Sequence, residues 1–256
     1  MPEQANAHAP ARTLNAHLET PLETPLGSHL ATPLGILGGT FDPVHFAHLR
    51  LAEEAADGLG LGSVRWIPAG QPTHRAAENK SPEVSAAQRL AMVRLAIAGN
   101  PRFTLDPTEV DARQPSYTVP TLERLRSASD CGAQRPLVLL LGADAFAGIS
   151  GWHRWEKLFD LAHIAVAERP GFPLEAARLP PTLADIFRQR RGDSAAVLRA
   201  APAGRIVSFP LTQLAISATQ IRRMRAEGRS PRYLLPDAVI AYIQNHSLYL
   251  AKNQPT

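Results

Sequence analysis

The stretch GILGGTFDPVHFAHLRLAEEA, Gly35 to Ala55, joins an apolar strand to a helix through two glycines, a Thr-Phe-Asp-Pro turn and two histidines. Gly38 and Gly39 lack Cβ atoms, so a ligand can approach their backbone closely. Pro43 stiffens the turn. The helix that follows opens with unpaired N–H groups and a partial positive charge, a setting that suits an anion. His45 and His48 lie three apart and can face one way, offering imidazole N–H groups to phosphate oxygens. The spacing is neither G-x-G-x-x-G nor a P-loop, since no Gly-Lys-Ser/Thr follows. The same pair also suits a plain surface turn or a zinc site. Zinc needs a further ligand, and the sequence offers no obvious partner, so phosphate contact is the stronger reading.

On either side of this stretch the chain alternates between strand and helix patterns. Leu34–Leu37 opens as a strand, and a helix from about His45 to Ala56 stops near Gly58. SVRWIP (Ser63–Pro68) is a second strand, followed by a Pro/Gly/Asn loop over 69–81. Ser85 and Gln88 form a capping box for a helix whose apolar face includes Leu90, Val93, Leu95 and Ile97, with Gly99 as its stop. RFTL is a short strand, and SYT leads into a helix bearing Leu122 and Leu125. PLVLLLG (Pro136–Gly142) is a fully buried strand; HIAVAERPG adds another, closed by Arg169-Pro170-Gly171. Residues 172–200 turn Pro-rich and then helical, RIVSF is the last strand, and helices follow from Thr219 and in PDAVIAYIQNH. The pattern predicts an α/β, Rossmann-like, doubly wound and mostly parallel sheet with helices on both faces. Ligands bind such sheets at the carboxyl ends of strands, where strand order reverses.

A chain of 256 residues can bury a sizeable core in one domain. We expect a disordered extension over 1–33, with its repeated Thr-Pro-Leu, one domain over 34–250 and a tail over 251–256. No apolar run reaches the roughly 18 residues of a membrane helix, and the extension lacks a signal peptide's apolar stretch. The single cysteine, Cys131, excludes a disulfide framework and suits a reducing cytoplasm. Net charge is +4, with arginines crowded from Arg188 to Arg232. That favours small phosphorylated substrates over nucleic acid, because no aromatic–basic interleaving accompanies the charge.

GGTFDPVHFAH resembles the T/HxGH signature of the nucleotidylyltransferase superfamily, with Ala47 where that signature usually has glycine. PAGQPTHR, QRLAMVRLAI, SYTVPTL, LLLGADAFAGISGWHRWEKL, AVAERPG, ISATQIR and YLLPDAVIAYIQNHSLY follow in order. Together they make residues 35–250 similar to the bacterial nicotinate-nucleotide adenylyltransferases. That resemblance implies transfer of AMP from ATP to nicotinate mononucleotide, with Mg²⁺ carried by ATP and no dedicated metal cage in the protein. It implies that His45 and His48 bind ATP phosphates and steady charge in the transition state. Gly38, Gly39, Thr40 and Phe41 would shape the turn that places the reacting phosphates. Ser217, Thr219 and Arg222 would hold the β- and γ-phosphates at a second helix start, Arg222 with a catalytic share, although Thr219 would also serve as a plain cap. Asp144 would lie near the bound nucleotide or, as a plain alternative, cap the next helix. Tyr117 and Thr118 would offer backbone N–H groups to the nicotinate carboxylate, Trp152 would stack on its ring, and Arg75 would reach phosphate. Homo-oligomerisation is left open. The competing readings are a sister enzyme using nicotinamide mononucleotide or phosphopantetheine, a non-catalytic nucleotide sensor, and a basic nucleic-acid binder.

Overall fold

The computed structural model describes residues 31–72, 81–112, 114–168 and 174–251. Expectations for residues 1–30, for Arg75, for the Arg169-Pro170-Gly171 turn and for 252–256 lie outside the described residues.

In chain order the elements are β1 (Leu34–Gly39), α1 (Phe46–Gly58), β2 (Ser63–Pro68), β3 (Gln71–Pro72), α2 (Ala86–Ile97), β4 (Phe103–Leu105) and α3 (Thr108–Asp111). Then come β5 (Pro115–Ser116), α4 (Thr118–Ser127), β6 (Leu137–Gly142), α5 (Ala143–Ala147), α6 (Leu158–Leu161) and β7 (His163–Glu168). The last are α7 (Pro181–Arg190), β8 (Ile206–Pro210), α8 (Ala218–Ala226) and α9 (Asp237–Asn245). Six strands form one parallel sheet in the order β4-β2-β1-β6-β7-β8. Successive strands run outward from β1 on one side and from β6 on the other. The order therefore reverses between β1 and β6, whose register sets Leu34 opposite Leu137 and Ile36 opposite Leu139. A crevice opens at that reversal, beyond Gly38–Gly39 and Gly142.

Alternation along the central strands splits the core in two. Val138 and Leu140 of β6 pack with Ala52, Val93, Ile221 and Val239, from helices on one face. Leu137, Leu139 and Leu141 pack with Leu122, Phe146, Phe159 and Phe187 on the other. No helix among the described residues is long and apolar enough to cross a membrane.

Several details differ from the sequence expectation. Residues 71–72 are not loop: β3 pairs in parallel with β5, which ties the segment after β2 to the SYT segment. α3 had no separate signal. Leu95 is exposed rather than on the buried face of α2; Val93 and Ile97 lie there as expected, joined by Met92 and the charged Arg89. Arg89 is buried, and its guanidinium donates to the carbonyls of Thr40 (2.7 Å), Ala69 (2.6 Å) and Gly70 (2.9 Å). It thereby fixes the chain leaving β1 against the chain leaving β2.

Replacing Arg89 by Met keeps the apolar stem but strips three carbonyls of their donor. Stranding buried polar groups costs roughly 1–3 kcal/mol each, partly relieved by relaxation, so a loss on the order of 3 kcal/mol is expected. Urea denaturation of Arg89→Met checks it; a change within 0.5 kcal/mol, about the scale of a surface substitution, would show that Arg89 does not brace these turns.

Candidate active site

A cavity of about 350 Å³ opens at the β1–β6 reversal. Its lining includes Gly38, Gly39, Thr40 and His48, then Tyr117, Thr118, Glu109 and Ser116, and Leu139–Gly142 with Trp152. The two glycines serve different ends. A Cβ on Gly38 would meet nothing within 4 Å, so the backbone there faces open space. A Cβ on Gly39 would lie 2.9 Å from the Phe41 ring, so Gly39 is needed by the turn's own packing. Phe41 is buried beneath the turn at φ 52°, in the left-handed region, and its ring meets His48 edge-on at 5.1 Å and Trp66 at 5.4 Å. It backs the histidine and is absent from the residues lining the cavity.

The two imidazoles stack at 3.8 Å. His45 is the N-cap of α1, and its N–H donates to Nδ1 of His48 at 3.3 Å. An accepting Nδ1 puts the His48 proton on Nε2, the tautomer that can donate to a ligand. His45 is not exposed as a helix-start residue would suggest; it is buried, with Nδ1 lacking a hydrogen-bond partner. Burial lowers its pKa from 6.5 to about 4, so it waits as a neutral imidazole. Polyphosphate arriving beside it would favour its charged form.

Arg222 of α8 reaches the same turn. Its Nη1 donates to the Asp42 carbonyl at 2.8 Å and its Nε to Glu83 Oε1 at 2.6 Å. Asp42, also buried, accepts from Glu83 N at 2.9 Å and from the Tyr249 hydroxyl at 2.7 Å. Ser217, not Thr219, caps α8: its Oγ accepts from Gln220 N at 3.1 Å, because Ser217 holds the extended N-cap geometry while Thr219 is already helical. Asp144 is exposed in the first turn of α5, where Gly142 is the N-cap, so its capping alternative does not hold. Tyr117 is the N-cap of α4 and its side chain makes no cap bond to the first turn. Gly38, Gly39, Thr40, His48, Tyr117, Thr118 and Trp152 thus meet around one cavity, whereas His45, Asp144, Ser217, Thr219 and Arg222 are absent from its lining; His45 stacks behind His48, and Arg222 reaches only the turn, through the Asp42 carbonyl. Arg89, Asp42, Glu83, Glu109 and Tyr249 were not anticipated. For Arg89 a signal existed: a charge three and four residues before Met92 and Val93, inside the apolar stripe of α2. Among the described residues no group of three or more His, Cys, Asp or Glu side chains is placed to hold a metal ion.

The family model described as cytidylyltransferase-like matches residues 36–224. A protein of Dechloromonas aromatica (strain RCB), "Probable nicotinate-nucleotide adenylyltransferase", is 62% identical over 86% of this chain and 99% of its own length. A protein of the same name from Pseudomonas putida (strain W619) is 47% identical over 86% of this chain and 96% of its own. Among solved structures, Plasmodium falciparum nicotinic acid mononucleotide adenylyltransferase complexed with NaAD superposes with a TM-score of 0.62 at 16% identity, covering 86% of this chain and 98% of that one. At that identity the likeness speaks for the fold.

The neutral state of His45 has a consequence in acid. The unfolded chain binds a proton near pH 6.5, the folded chain only near about 4, so the unfolded state holds more protons between those values. Stability therefore falls as pH drops through that window, by up to about 3 kcal/mol for this one group. His163 adds to the fall in the same direction: it is buried between Arg205 N–H (3.0 Å) and the Ala201 carbonyl (2.8 Å), and burial lowers its pKa. His45→Gln should flatten the slope of unfolding free energy against pH while leaving the His163 share. Urea titrations at closely spaced pH measure it; an unchanged slope would mean that His45 is not held neutral.

Proposed function

The chain belongs to the nicotinate-nucleotide adenylyltransferases, and we propose that the cavity at the β1–β6 reversal is where it joins AMP from ATP to nicotinate mononucleotide. The products are nicotinate adenine dinucleotide and pyrophosphate, in NAD biosynthesis. The observation that supports this site is the convergence of the Gly38–Thr40 backbone and His48 with the Tyr117–Thr118 turn around one cavity.

The chemistry asks little of acid–base groups. The mononucleotide's 5′-phosphate is already an anion and attacks the α-phosphorus of ATP in line; pyrophosphate bound to Mg²⁺ leaves readily. What remains is positioning and charge stabilisation. His45 and His48 donate to the ATP phosphates, His48 through Nε2–H. Thr40 and the open backbone at Gly38 seat the reacting phosphates, with Gly39 and Phe41 shaping that turn. Ser217, Thr219 and Arg222 take the β- and γ-phosphates at the start of α8, and Asp144 lies toward the nucleotide. Tyr117 and Thr118 offer N–H groups to the nicotinate carboxylate, Trp152 packs on its ring, and Arg75 approaches phosphate. Mg²⁺ comes with ATP and keeps phosphate and water ligands. The working unit is the domain over 34–250, in the cytoplasm, where ATP is supplied.

His45→Ala and His48→Ala should each lower turnover by about 10²–10³, the usual cost of one transition-state donor. Steady-state pyrophosphate release measures this, and near-wild-type turnover in either variant would remove that histidine from the mechanism. Substrate choice tests the reading as a whole. A carboxylate can accept from both backbone donors, whereas a carboxamide has one acceptor oxygen and turns its NH₂ toward a donor. The mismatch of about 1–3 kcal/mol, enlarged by the charge, predicts a preference for nicotinate over nicotinamide mononucleotide of roughly 10²-fold or more in kcat/KM. Competition kinetics with both substrates decides, and equal specificity constants would overturn the nicotinate assignment.

A further inference from the structure

Glu109 lines the cavity beside Tyr117 and Thr118, and the reaction just described gives it no part. Two hydroxyls hold its carboxyl. Thr121 Oγ1 donates to Oε1 at 2.5 Å, and the Ser116 hydroxyl bonds to it as well. Ser116 Oγ in turn accepts from Gly70 N (2.9 Å) and Gln71 N (3.3 Å), which leaves its own proton for Glu109. A Cβ at Gly70 would collide with the Glu109 carbonyl, so the two backbones pack directly. Ser116 and Thr121 flank Tyr117 and Thr118 in sequence, so the carboxyl is fixed to the same short segment as the proposed carboxylate donors.

The charged and titratable groups around it do not neutralise it. Arg124 of α4 is paired with Asp106 at 2.6 Å, and Asp106 is itself an anion near Glu109. Across the cavity His48 keeps its proton on Nε2. Burial raises the Glu109 carboxyl above the usual range, against the pull of the two hydroxyls and Arg124. A second carboxylate seated on the Tyr117–Thr118 N–H groups would share this poorly hydrated wall, and two like charges in one pocket push one group to take a proton. A ring carboxamide brings no charge, and its NH₂ can donate to an ionised carboxylate.

We propose that Glu109 is a specificity-determining residue of the ring pocket. Protonated, it admits a ring carboxylate beside the Tyr117–Thr118 donors; ionised, it repels that carboxylate and accepts from a ring carboxamide. This rests on the substrate reading above. The test is the ratio of kcat/KM for nicotinate over nicotinamide mononucleotide, measured against pH in wild type and in Glu109→Gln. Titration of ATP, of the 5′-phosphate and of the histidines is common to both substrates and cancels in the ratio. In wild type the ratio should fall by about tenfold or more as pH rises and Glu109 ionises, the scale of one pKa unit of charge coupling. In Glu109→Gln, neutral throughout, it should stay flat near the low-pH value, with an unchanged melting temperature. A high ratio that does not vary with pH in wild type, or an equal slope in the variant, overturns the role of Glu109 alone. A ratio near one at every pH overturns the substrate reading, and this inference with it. The wild-type profile gives its answer even if the variant folds poorly.

Discussion

Asp42, through its carboxylate and its backbone carbonyl, binds three distant parts of the chain to one turn. One oxygen accepts from the Tyr249 hydroxyl near the end of the described chain, the other from the Glu83 N–H ahead of α2. The Asp42 carbonyl accepts from Arg222 of α8. A buried carboxylate without donors is prohibitively costly, so these segments are held where they can supply them. Burial and the neighbouring Asp42 charge keep the Tyr249 phenol protonated, and it can only serve as donor. Phe41 and Tyr249 both carry positive φ, 52° and 59°, on non-glycine residues. Each costs of order 1–3 kcal/mol and persists because the surrounding contacts over-determine it. The turn that offers Gly38 and Thr40 to the cavity is rigid for that reason.

Arg89 braces the same turn from the opposite side. Asp42 holds its far end, while Arg89 holds the Thr40 carbonyl against those of Ala69 and Gly70. The site is thus built from backbone positions pinned by two buried charged side chains and from two imidazoles, one of them buried neutral. An arrangement of this kind suits a reaction whose nucleophile is already an anion and whose leaving group is already good. Donors fixed in place before substrate arrives need no reorganisation as charge shifts onto the leaving phosphates.

Much of the architecture was legible in the sequence. The capping box at Ser85 and Gln88 forms as read, and the continuous apolar run before Gly142 is a central strand buried on both faces. The glycine turn and histidine pair fall at the reversal of strand order because a strand, a tight turn and a helix start leave them nowhere else to go. What escaped was set by contacts remote in sequence. Nothing near Tyr249 announces that it will meet Asp42, more than two hundred residues away. The β3–β5 pairing joins segments too short to show a period. Leu95 looks apolar-faced in a helix whose buried stripe instead admits an arginine, because three carbonyls wait beneath it. Ser217 rather than Thr219 caps α8 for a local reason, since both residues can cap and only the backbone decides.

On the proposed mechanism the site positions and stabilises, with the mononucleotide phosphate displacing pyrophosphate directly and no protein nucleophile between them. The stereochemical course at the α-phosphorus tests that claim most directly. With ATP carrying a chiral α-phosphorothioate of known configuration, a single in-line displacement inverts the centre, and the dinucleotide product should show complete inversion. Net retention would mean two displacements through a covalent adenylyl-protein, and would contradict the account.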